Sequence, residues 1–356
     1  MFRNYYSEMK AVKEKACALG GMSGGRPRLG PALANFRRRA KFSARLIFLE
    51  KELIIFAVLQ WLCVAAGYYL WVQMIGWIPA AAWERASNSN SASVGDLVLF
   101  AWSFVCVGLT AFPLGLLSGC MGAVHFLNRQ GRESTIAECF KMVLPKVWPL
   151  WIFHWIDGWW TVMRILDRLP KKNDRRTPAQ KALSEAIYYA WKLATIGILP
   201  ALVTGRGLVD AGKRSVLLVQ AKFLDVAFLR AGYSAACWII GIAAYAGTIV
   251  FFVMFPQLLD LKAPVESRIF TFYLWAGLPI VSATGIVMLF LRPVYIISAC
   301  DIYAGYVRER EENLMLPPPP RRGGMDAFIA FFLLALAVLI VVFYRYELGI
   351  MDWLSR

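Results

Sequence analysis

The densest chemical text in the chain lies in residues 148–160, which hold Trp148, Trp151, His154, Trp155, Asp157, Trp159 and Trp160. His154 and Asp157 are three residues apart, so on a helix they share a face and could pass a proton between imidazole and carboxylate. Trp148, Trp151, Trp155 and Trp159 recur at helical spacing and form an aromatic stripe. Tryptophan suits the headgroup region, where its ring is buried and its indole N–H stays wet. With Arg164 and Arg168 following, the expectation is an interfacial helix on the cytoplasmic leaflet. A hydrogen-bonded His–Asp pair without proton chemistry is the plainer reading of the two.

Lys192 is the second candidate, because it interrupts an apolar run from Ala186 to Thr204. An ionisable side chain at membrane depth is a functional hypothesis by default. The plainer account is a stem lying in lipid with its ammonium reaching back to the headgroups. Asp210 or Asp225 would meet Lys192 only if the segment folds back on itself.

Other chemistries find little support. The two histidines, His125 and His154, lie in different segments, so no convergent metal site is legible. No nucleophile with a neighbouring base stands out. The glycine-rich stretch Gly20–Gly30 lacks the Gly-Lys-Ser/Thr ending of a phosphate loop, and Gly205–Gly207 does not extend to a dinucleotide fingerprint. No catalytic residue, metal or cofactor is therefore assigned, and an enzyme is not expected. A lipid-modifying enzyme would need clustered acids or histidines near the leaflet, and only His154 and Asp157 offer a start.

These residues must be positioned by membrane helices. The chain has 356 residues, 59% of them hydrophobic and 17% charged, where a soluble protein carries about 45–50% apolar residues. The formal charge of +16 does not imply nucleic acid, since the basic residues flank apolar spans instead of forming a patch with stacking aromatics. An anionic leaflet explains them. The seven cysteines are scattered without a CxxC pair, so they read as packing residues, with Cys17 or Cys139 open to palmitoylation.

About 20 apolar residues cross the hydrocarbon core. Leu53–Ile78, Leu97–Met121, Ala231–Phe255, Phe270–Leu291 and Ala327–Tyr344 meet that length. The first begins too late for a cleaved signal peptide, so an uncleaved first anchor is expected. Residues 1–52 carry twelve Lys/Arg against four acids, and residues 122–185 carry eleven Lys/Arg, which places both inside. The stretch Glu84–Asp96 holds only Arg85 and should face outward. If Ala186–Thr204 crossed, Lys213, Arg214 and Lys222 would lie outside; a dip that returns keeps them inside. The expected fold is thus an all-α polytopic bundle of five transmembrane helices plus a re-entrant or interfacial hairpin over about 186–230. Six or seven spans is the alternative.

Four regions follow: a basic cytoplasmic segment (1–52), a membrane bundle (53–300) with cytoplasmic interfacial helices at about 142–168 and 186–230, a cytoplasmic helix and Pro-rich linker (301–325), and an anchor helix (326–356). The N-terminus is expected inside and the C-terminus outside, in a bacterial inner membrane. Pro317–Pro320 reads as a stiff spacer to the last span. Within Leu208–Arg230, Val209, Val216, Val219, Phe223, Val226 and Ala227 form an apolar face against Lys213 and Arg214.

Ala190, Trp191, Leu193, Thr195 and Pro200, followed by Ala211, Lys213, Arg214 and Ser215, resemble a pattern in a broad family of uncharacterised prokaryotic multi-pass membrane proteins. The resemblance covers about residues 42–291. It implies a helical bundle with a dipping hairpin and brings no catalytic residues. The leading functional expectation is a non-enzymatic membrane subunit or scaffold of an envelope, secretion or conjugation assembly, with other membrane subunits and the anionic leaflet as partners. The alternative is a transporter or channel with Lys192 and the Pro200 break lining its path.

Overall fold

A long uncharged stretch in lipid can satisfy its backbone within itself only as a helix, the other solution being a closed barrel of many strands, and the described residues take the helical one. The structure is a computed structural model and describes residues 29–77, 94–168, 178–255, 279, 281–310, 332 and 335. Among these residues every regular element is helical. We number them α1 (Leu29–Leu49), α2 (Lys51–Trp77), α3 (Val94–Arg129), α4 (Ile136–Val143), α5 (Val147–Arg168), α6 (Pro178–Ala194), α7 (Ile198–Val203), α8 (Leu208–Ala221), α9 (Phe223–Met254) and α10 (Arg292–Glu309). A 3-10 turn (Leu144–Lys146) precedes α5, and a π-helical turn (Val287–Leu291) leads into α10.

Five helical stretches are long and apolar enough to cross a membrane: Lys51–Gln73, Phe100–Arg129, Leu183–Val203, Phe223–Phe251 and Val281–Glu309. The protein is a multi-pass membrane protein with an all-α bundle. Three of these stretches overlap expected spans closely. The fourth expected span, Phe270–Leu291, is displaced toward the C-terminus, because helix continues through Arg292 to Glu309. Ala327–Tyr344, apart from residues 332 and 335, lies outside the described residues, as do Pro317–Pro320, Cys17 and residues 78–93.

The packing explains the order of elements. α2 and α3 are antiparallel, tied by Gln60 Nε2 donating to Ser118 Oγ at 2.8 Å and Trp71 Nε1 donating to Ser103 Oγ at 2.9 Å. α3 stops where Gly131 takes a left-handed φ of 73°, a conformation that glycine enters without strain. Thr135 then caps α4, accepting from the Glu138 amide at 3.3 Å. α1 closes the basic end of the bundle. Its Arg39 pairs with Asp225 at 2.9 Å and Asp301 at 3.4 Å, while Ser43 meets Ser298 at 3.0 Å.

The region expected to dip, about 186–230, instead begins with one of the five stretches long and apolar enough to cross, Leu183–Val203 in α6 and α7, and the chain turns beyond it through Gly205 at φ 103° into α8. α7 is buried throughout, whereas α8 buries Ala211, Ser215 and Leu218. The apolar face expected over Leu208–Arg230 packs only in part: Val226 is buried and Val219 lies against the core, while Val209, Val216 and Phe223 are exposed. The chain breaks at Lys222 (φ −126°, ψ 35°), so positions on either side of it are not on one continuous helix face.

Candidate functional site

Small residues let α5 approach α3. A Cβ on Gly115 would sit 2.9 Å from the Leu150 carbonyl oxygen, and one on Gly108 would sit 2.7 Å from the Trp155 ring. Trp151 Nε1 donates to the Gly108 carbonyl at 2.7 Å and Trp155 Nε1 to the Phe104 carbonyl at 3.3 Å. Phe104 also packs against the rings of Trp155 and Trp159. These contacts run antiparallel along the membrane-spanning part of α3. The tryptophan stripe therefore faces a helix where a headgroup layer was expected; Trp151 and Trp155 are buried, while Trp148 and Trp160 remain exposed. Indole N–H groups need a partner when buried, and the α3 carbonyls supply it.

On the other side of α5, His154, Asp157 and Thr161 look into a cavity of about 660 Å³. α6 runs antiparallel to α5 and brings Lys192 to the same place. Arg164 Nη1 donates to Ser184 Oγ at 2.9 Å and Arg164 also pairs with Glu185, while the Trp160 and Trp191 rings stack at 5.7 Å. Lys192 Nζ then donates to Asp157 Oδ1 at 2.5 Å and to Thr161 Oγ1 at 2.9 Å, and Trp191 Nε1 donates to the same carboxylate at 3.3 Å. His154 and Asp157 share the face but not a hydrogen bond: His154 Nδ1 meets the Leu150 carbonyl at 3.0 Å.

The far wall comes from α9 and α10, with Arg230, Tyr233, Arg292 and Tyr295. The Arg230 guanidinium lies 5.7 Å from the Tyr233 ring centroid, and the Tyr233 and Tyr295 rings are 4.5 Å apart. Arg292 Nη2 donates to Ser118 Oγ at 3.0 Å, beside Gln60. The Nε atoms of both Arg230 and Arg292 are buried without a hydrogen-bond partner. Among the described residues the lining thus carries three cations, Lys192, Arg230 and Arg292, against the one carboxylate of Asp157. Two helix irregularities border it. The α6–α7 break contributes Thr195 and Ile196, and the π turn contributes Met288.

The remaining expected residues are dispersed. Lys213 is exposed and Arg214 half-buried on α8, and the side chain of Arg168 lies outside the described residues. Asp210 and Asp225 do not reach Lys192; they pair with Arg206 and Arg39. Pro200 is buried in α7 and is not part of the cavity wall. Among the described residues there is no cluster of three metal-ligating side chains. Arg230 and Arg292 were missed because each stands at the edge of an apolar run and reads as a span boundary. No family model, curated protein or solved structure matches the chain.

Proposed function

We propose that the protein is a non-catalytic membrane protein that binds a small anionic solute in this cavity, as a transporter or channel does. The observation that carries the reading is the charge imbalance: among the described residues, three cations and one carboxylate line a cavity formed by membrane-spanning helices and α5. A buried cation without a counter-ion is costly. Arg230 and Arg292 each keep a buried N–H free, and an anion entering the cavity would satisfy both charge and hydrogen bond. Interrupted helices recur where transporters hold ions, because the freed backbone is tolerated only beside a cavity or within protein. Both the α6–α7 break and the π turn lie there.

Flux of radiolabelled sulfate, phosphate and chloride into proteoliposomes tests the reading. One of these should be bound and moved by the native protein, with Lys192→Ala losing flux and Arg292→Gln weakening binding at least about tenfold, as for a charged hydrogen bond of roughly 1.5–3 kcal/mol. Absence of binding for all three overturns it.

A second reading rests on α9. Its outer surface exposes Ile239, Ile242, Ile249 and Val253, and its apolar window is buried nowhere in the monomer. That surface suits the expected subunit of an envelope, secretion or conjugation assembly, and equally suits lipid. Co-purification in mild detergent separates the two. In either case we place the Arg39–Asp225 end of the bundle, with exposed Arg37, Arg38, Lys41 and Lys213, toward the anionic cytoplasmic leaflet of a bacterial inner membrane.

A further inference from the structure

We propose that an anion entering the cavity is bound together with a proton taken up by Asp157, an inference that rests on the anion-binding reading above. The Asp157 carboxylate is held by one cation and one indole: Lys192 at 2.5 Å and Trp191 at 3.3 Å. Lys192 carries a point charge on a flexible stem and already divides its donors between Asp157 and Thr161. The guanidiniums of Arg230 and Arg292 define where negative charge is wanted. An anion drawn there competes with Asp157 for Lys192.

When Lys192 turns to the anion, Asp157 retains a neutral indole donor and gains a negative neighbour. Loss of a paired cation, approach of a like charge and poor hydration all favour the neutral carboxyl. One proton from water then forms the O–H bond on a carboxylate oxygen, with no change in redox state. Among the described residues, the remaining titratable or charged groups around the cavity are His154 on α5, Tyr188 and Tyr189 on α6, Arg230, Tyr233 and Cys237 on α9, and Arg292 and Tyr295 on α10. α2 and α3 present none to it. Of these, His154 is the competing proton acceptor, since a protonated imidazole would also attract an anion.

The test uses the purified full chain in nanodiscs titrated with sodium sulfate, which does not itself titrate near neutral pH. Calorimetry in buffers of different ionisation enthalpy should report uptake of about one proton per sulfate. Infrared difference spectra should show a protonated-carboxyl band on sulfate addition, a readout that needs no variant. Uptake should persist in H154Q, and D157N should bind sulfate more tightly with no proton taken up. Sulfate binding with no uptake, or uptake abolished by H154Q, overturns the coupling and leaves the anion reading intact. Failure of sulfate, phosphate and chloride to bind overturns both.

Discussion

Lys192 on α6 and Asp157 on α5 lie 35 residues apart in the chain and form a 2.5 Å ion pair at the cavity wall, the lysine side chain 9% exposed. Removing one partner strands the other charge in a poorly hydrated site, which costs about 3–5 kcal/mol when such a pair is buried. Asp157, at 29% exposure, keeps some access to water. We therefore expect Asp157→Asn, which strands the more deeply buried Lys192, to be the more harmful of the two single changes, and Lys192→Met the milder. The double variant should be more stable than the sum of the two, by about 0.5–3 kcal/mol. Thermal unfolding of the four proteins in one lipid system checks this; strict additivity would sink it.

That pair also shows where the sequence ran out. Lys192 and Asp157 both stand out in the text, yet each for a different reason. Lys192 broke an apolar run, and Asp157 sat near His154. The acids that sequence proximity offered, Asp210 and Asp225, are consumed by Arg206 and Arg39. α2, α3 and α9 were legible because uncharged runs of span length have few other solutions. Arg292 was not, because a guanidinium within a membrane helix looks like its end until Ser118, 174 residues away, appears as its partner. The tryptophan period was visible, but an indole N–H can be satisfied by headgroup water or by a helix carbonyl. Only Gly108 and Phe104 on α3 decide for the carbonyl.

Gly115 sets the distance between α3 and α5, and so the position of His154 and Asp157. A Cβ there meets a backbone carbonyl at 2.9 Å, whereas one at Gly119 meets the side chains of Val143 and Leu150 at 2.7 and 2.9 Å. Side chains can rotate and a helix backbone cannot. Gly115→Ala should therefore cost about 1–3 kcal/mol, as overpacking does, and Gly119→Ala less. Gly115→Ala should also weaken sulfate binding. Equal melting shifts for the two variants would contradict this ranking.

The break between α6 and α7 is held by a single hydroxyl. Ser215 Oγ on α8 accepts from the Gly197 amide at 2.8 Å and donates to the Ala194 carbonyl. Both backbone groups lose their helical partner at the break; the Gly197 amide is buried and the Ala194 carbonyl partly so. Ser215→Ala leaves an amide and a carbonyl unsatisfied, each worth about 1–3 kcal/mol. Hydrogen exchange should quicken at residues 195–199 in that variant before the α2–α3 pair is affected. A uniform rise across the bundle would show that Ser215 has no local role.

Lys146 supplies a pH dependence whose sign can be worked out. Its ammonium is buried beneath α7 and donates to the Val203 carbonyl at 2.6 Å, where the helix end leaves that oxygen without a partner. Burial pushes the Lys146 pKa down to about 8 from its ordinary value of 10.5. Between those two values the unfolded chain holds a proton that the folded chain has released, so stability rises with pH across that window and the penalty is full below it. The neutral amine still donates to Val203, so no contact is lost in the rise. Each unit of separation between folded and unfolded pKa is worth about 1.4 kcal/mol. Lys146→Met removes the titration along with the bond. The melting temperature of the native protein should therefore climb relative to K146M between pH 8 and pH 10, both measured in the same nanodiscs. Parallel curves for the two proteins would mean that the folded ammonium titrates no earlier than the unfolded one, and that water reaches Lys146 despite its burial.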